Sequence, residues 1–153
     1  MSTYLEHILE QFAAAQPAID AELAAADLAP LVDWLQGEPA VPRSANCPYA
    51  WFTWLTQALR QPDEDSLAGV TAFSQGVVVT VALTAEDRPA LDRAVAQYVP
   101  HIIAALERYQ DPYRIEGGPF ERDPRDESED SDHFGRYAML LTVMGDRTRK
   151  RVS

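Results

Sequence analysis

Nucleophilic or general-base chemistry needs a side chain that exchanges a proton near neutral pH, and the chain offers four obvious ones. They are its only cysteine, Cys47, and three histidines, His7, His101 and His133. Cys47 stands in Asn46-Cys47-Pro48 with no base beside it in sequence, so nothing local would draw off the thiol proton. The histidines are scattered: His7 in an N-terminal helical stretch, His101 beside an apolar helical face, His133 next to an acidic run. No H-E-x-x-H or H-x-H spacing occurs. Ser74-Gln75-Gly76 lacks the G-x-S-x-G elbow, and no glycine-rich phosphate loop is present. One cysteine allows neither an intramolecular disulfide nor a cysteine-based zinc cluster. The expectation is a protein that is not an enzyme and carries no cofactor or metal.

Charge is the next candidate for function. Glu121 to Asp132 holds seven acidic residues, two arginines and a proline. A calcium loop needs oxygen ligands at alternate positions, a central glycine and a terminal glutamate, and this run has neither that glycine nor that spacing. It reads as an exposed loop whose Asp126, Glu127, Glu129 and Asp130 would meet a basic patch on a partner. The opposite sign gathers at the end, where Arg147, Arg149, Lys150 and Arg151 form a projecting tail over 147–153. Opposed patches on one chain suit head-to-tail contact between copies, which makes a ring if the rotation closes. A third candidate is aromatic: Tyr49, Trp51 and Trp54, with Phe52 among them, are residue types enriched at interface hot spots.

Composition narrows the partners. The chain has 153 residues, 46% of them hydrophobic, enough for one domain (1–146) with a real core. Thirteen Lys and Arg stand against 24 Asp and Glu, a net charge of -11. Such a surface repels nucleic acid and anionic membranes, leaving only a transient contact of the basic tail with DNA. The first residues carry Glu6 and Glu10 and do not read as a signal peptide, and no apolar run is long enough to span a bilayer.

These groups must be positioned by a small set of elements. Leu5, Ile8, Leu9, Phe12, Ile19 and Leu23 repeat at helical spacing, with Pro17 bending or dividing the run. Asp27 to Pro42 reads as a short helical turn and then loop. Tyr49 to Leu59 fits a strand or a helix equally well. Val70 to Leu83 reads as a hairpin, with Ser74-Gln75-Gly76 near its turn and Val77 to Leu83 as a buried strand. Thr84 is expected to cap the following helix with Asp87 as its reciprocal partner, Pro89 in the first turn and Pro100 kinking it. Asp111, Pro112, Gly117, Gly118 and Pro119 mark a way out, with a short strand over 113–115. Phe134 to Met144 closes the domain as a strand. The sum is α+β: a small, mostly antiparallel sheet packed by an N-terminal and a central helix, with a flexible acidic loop.

An N-terminal helix, a strand feeding a Thr/Asp-capped helix (Gly76 to Tyr109), an exposed polar loop and the closing strand Arg136-Tyr137-Ala138-Met139-Leu140-Leu141-Thr142-Val143 resemble the small tail-terminator and neck proteins of long-tailed bacteriophages. The resemblance covers roughly residues 65 to 145 and lies in element order rather than in a diagnostic motif. It implies a virion protein, made in the host cytoplasm, that assembles as a hexameric ring on the tail tube and docks to the head connector. Ring contacts would lie on the sheet and flanking helix. The competing expectation is an acidic adaptor, inhibitor or chaperone unrelated to virions.

Overall fold

The computed structural model describes residues 4–40, 47–54, 72–109, 114–126 and 132–146. Helices α1 (Tyr4–Ala13) and α2 (Gln16–Ala25) lead into strands β1 (Asp33–Gln36), β2 (Tyr49–Trp54) and β3 (Ala72–Thr84). Helix α3 (Arg88–Tyr109), β4 (Arg114–Arg122), a 3-10 turn (Pro124–Asp126) and β5 (Phe134–Asp146) complete the chain. The strands form one sheet in the order β1-β2-β3-β5-β4, antiparallel except for the β1–β2 pair. This is an α+β fold with a small, mostly antiparallel sheet.

Pro17 divides the first helical run, because its ring excludes the carbonyl a continuous helix would place against it. The second helix closes on Asp27, whose φ of 59° is left-handed. There the Leu28 N–H donates to the Leu23 carbonyl and the Asp27 N–H to Ala24, satisfying the last carbonyls of α2. From there two side chains steer the chain into β1: Asp20 accepts the Leu31 N–H at 2.9 Å, and Gln16 donates to the Leu31 carbonyl at 3.1 Å.

Alternation along the strands sorts the sheet into two faces. Phe52 on β2, Val77, Val79 and Val81 on β3, and Met139 and Leu141 on β5 all turn toward the helices. They meet Ile8, Phe12, Ile19, Leu23, Leu91 and Ile102 in one core. Between β3 and β4 the chain crosses over through α3, and β5 then returns between the two strands.

Four expectations are corrected. Ser74-Gln75-Gly76 is not a turn: β3 runs straight through it, with Gly76 opposite Thr142 in an unbroken β3–β5 ladder. A β-branched run on both sides and a partner strand outweigh one glycine. Residues 33–36, expected in a turn or loop, form β1, because Trp34 stacks on Phe52 and draws the segment alongside β2. Gly117, Gly118 and Pro119 do not end the strand but lie inside β4. There an irregularity between Gly117 and Phe120 absorbs them, and the edge position spares Pro119 the need for an N–H partner. The α3 cap is Asp87, whose carboxylate accepts the Ala90 N–H at 2.9 Å. Thr84 instead ends β3 opposite Phe134. Of Tyr49 to Leu59, which fitted either element, Tyr49–Trp54 is a strand, and 55–59 lie outside the described residues. Pro100 lies inside α3 without ending it.

Candidate functional site

The face of the sheet turned away from the helices is where the remaining polar residues gather. Across it runs a row set by register, Trp51 opposite Thr80 and Thr80 opposite Ala138, with Glu121 of β4 opposite Ala138. One step along, Tyr49, Ala82 and Arg136 form the next row. Tyr49, Trp51 and Ala82 make a second small apolar cluster there, with Leu35, Cys47 and Phe134 packed on it. Tyr49 and Trp51 stack at 5.8 Å.

Over this face folds the 3-10 turn that follows β4. Asp126 accepts a fork of hydrogen bonds from Arg136, Nε to Oδ2 at 3.0 Å and Nη2 to Oδ1 at 2.8 Å. The Arg136 main-chain N–H adds a third at 2.9 Å. Both side chains are 8% exposed. The Asp123 N–H donates to the Arg136 carbonyl at 2.8 Å, so the turn is tied to β5 by main chain as well. Arg125 grips Asp123 through Nε and Nη2 and reaches Glu38 at 2.8 Å. Glu38 follows β1 and Arg125 follows β4, so this ion pair joins the chain leaving one sheet edge to the chain leaving the other.

Under that bridge lies a hollow of about 300 Å³. Its floor is Trp51, Thr53, Thr80 and Ala138, and its walls are Glu38, Glu121 and the 122–125 segment. The Arg125 hydrogen bond, ahead of all else, holds the Asp123 carboxyl down at about 2. A carboxyl lowered in the folded state adds stability above its unfolded value of about 3.9 and loses it as pH falls through the folded one. Resistance to urea is therefore expected to drop between pH 4 and pH 2. Asp123→Asn should flatten that part of a stability-against-pH curve; an unchanged slope would place the acid-sensitive group elsewhere.

Cys47 is not poised to react. Burial pushes its thiol up from 9.0 to about 11, against the opposing effect of a hydrogen bond with Thr84. Two units mean roughly a hundredfold less thiolate, and alkylation by iodoacetamide at pH 8 is expected to be slower than in urea-unfolded chain by about that factor. Equal rates would show an open thiol. The histidines stay apart. His101 lies 4.0 Å from Glu22, which also binds Arg108 at 2.5 Å, and His133 contacts the Ala85 carbonyl. Among the described residues no three His, Cys, Asp or Glu side chains gather as a metal site. No helix among them is long and apolar enough to cross a membrane.

The candidate contact residues part company. Tyr49 and Trp51 are buried in the cluster just described, and Trp54 is half-buried against the core. Asp126 is not presented outward as expected but consumed by Arg136, because a 3-10 turn carries it back onto the sheet. Glu127, Glu129, Asp130, Arg147, Arg149, Lys150 and Arg151 lie outside the described residues. Sequence reasoning missed Arg136 and Glu38. A signal existed for the first: in β5, period-2 alternation sets Arg136 on a face with Ala138 and Leu140, where a charge needs a counter-charge. No protein-family model and no curated protein matches the chain.

Proposed function

We propose that this chain works by binding other proteins, and that it is a tail-terminator or neck component of a long-tailed bacteriophage. In that role it assembles as a ring that caps the tail tube and joins it to the head connector. The observation that carries the reading is the order and layering of elements: N-terminal helices, a long strand feeding a capped helix, and a closing strand in the middle of one sheet. Among the described residues the three α-helices lie on one face of that sheet. A subunit built this way keeps its second face and its two edge strands for contacts, and the resemblance assigns ring contacts to the sheet and flanking helix.

The edges fit controlled rather than indiscriminate pairing. β1 is four residues long, and β4 carries Arg114, Glu116, Glu121 and Pro119. Short, charged or proline-bearing edges resist open-ended strand addition, which a closed ring must also avoid.

Light scattering behind a sizing column, over a range of protein and salt concentrations, tests the reading. A discrete species near six times the 17.0 kDa chain mass is expected. A monomer or dimer under every condition would overturn it in favour of an acidic adaptor, inhibitor or chaperone.

A further inference from the structure

We infer that the hollow on the open face of the sheet receives the basic segment Arg147–Arg151 of a second copy of this chain. In that contact its cationic side chains meet Glu38 and Glu121 above Trp51. The inference rests on the self-association proposed above and names the surfaces that would make it.

The lining of the hollow suits a basic side chain. Thr80 on its floor is 8% exposed. Beside it Trp51, 5% exposed and stacked on Tyr49, gives the hollow an apolar floor. The volume, about 300 Å³, is at the small end for a ligand site and suits a long side chain or two rather than a folded element.

Charge selects a cation. Three carboxylates line the hollow, Glu38, Glu121 and Asp123, against two guanidiniums. Both guanidiniums are already engaged. Arg125 is held by Asp123 and Glu38, and Arg122 donates to the Phe134 carbonyl at 2.8 Å and lies over the Tyr137 ring. No described residue forms an ion pair with Glu121, and Glu38, 2.8 Å from Arg125 and 3.7 Å from Arg136, remains 45% exposed.

Geometry selects a second copy. The tail leaves β5 at Asp146, eight residues beyond Ala138, so the hollow lies about 27 Å back along the strand. Arg151 is five residues past Asp146. Reversing direction takes about two of them, and the remaining three span roughly 10 Å, well short of the hollow even with an arginine side chain added. The segment with four of the chain's thirteen basic residues therefore cannot fill the hollow of its own subunit. Contact of tail with hollow between copies is head to tail, the kind that propagates around a ring.

The test uses the full-length chain and three variants. One reverses the tail (R147E, R149E, K150E, R151E), one reverses the hollow (E121K), and one combines the two. In light scattering, each single reversal should weaken association at least about tenfold. The combined variant should regain it, and circular dichroism should give all three the wild-type fold. Wild-type assembly that survives both reversals would overturn the inference while leaving the ring reading standing. Loss without recovery in the combined variant would overturn it too. If the wild type is a monomer throughout, a synthetic peptide of residues 145–153 is titrated by calorimetry. Binding that E121K abolishes would uphold the tail–hollow contact while the ring reading falls, and no binding would remove both.

Discussion

Asp126→Ala is expected to lower the unfolding free energy by about 3–5 kcal/mol, the cost of stranding a buried charge. Arg136, 8% exposed, would lose both bonds of its fork, and its main-chain N–H would lose an acceptor at the same time. The carboxylates left nearby, Glu38 at 3.7 Å and Asp123 at 3.9 Å, are too distant to replace a hydrogen-bonded fork, and Arg125 already occupies both. Urea unfolding measures the loss. Arg136→Met should cost less, because the Asp126 carboxyl keeps the main-chain N–H of residue 136 and can take up a proton, whereas a stranded guanidinium cannot lose one. In the double variant the two losses should fall short of their sum, since the second change removes a group the first had stranded. A loss under 1 kcal/mol for Asp126→Ala would mean water reaches Arg136, and that the 3-10 turn does not seal this end of the hollow.

The same pair shows how far the sequence could be read. The β3–α3 unit was legible because its signals agree: a β-branched run, a capping pair before the helix, of which Asp87 rather than Thr84 is the cap, and apolar residues at helical spacing. The weaker strands were not. β1 has four residues and owes its place to Trp34, whose indole N–H donates to the Phe12 carbonyl 22 residues away. β4 carries Gly117, Gly118 and Pro119, which ordinarily break structure, yet Gly118 is required there. A Cβ at that position would sit 2.7 Å from the Leu140 carbonyl oxygen of the neighbouring strand. The candidate site was less legible still. Glu38, Trp51, Thr80, Glu121 and Ala138 come from four strands and a loop, and only the sheet register brings them together. The acidic run did announce itself in the sequence, but not that its Asp126 folds inward. That depends on Arg136, ten residues on, standing on the same face.

The N-terminal helix supplies the second large effect, and it tests whether the sheet can hold its shape without that layer. Phe12→Ala is expected to destabilise the protein by about 3–5 kcal/mol. The Phe12 side chain is fully buried, 5.6 Å ring to ring from Phe52, and Phe52 in turn stacks on Trp34 at 5.3 Å. These three rings join α1, β2 and β1. The hydrogen bond from Trp34 to residue 12 ends on a main-chain carbonyl and survives the substitution, so the measured loss would report packing alone. Phe12→Leu keeps most of the volume and should cost under about 1.5 kcal/mol. The difference between the two variants then gives the cost of the void. If Phe12→Ala cost less than 1 kcal/mol, α1 would not be docked as described, and β1 would lose the support that carries Glu38 to the hollow. If it cost the full amount, the helical layer and the open face would belong to one cooperative unit. Damage on the helix side would then be expected to weaken association at the hollow as well.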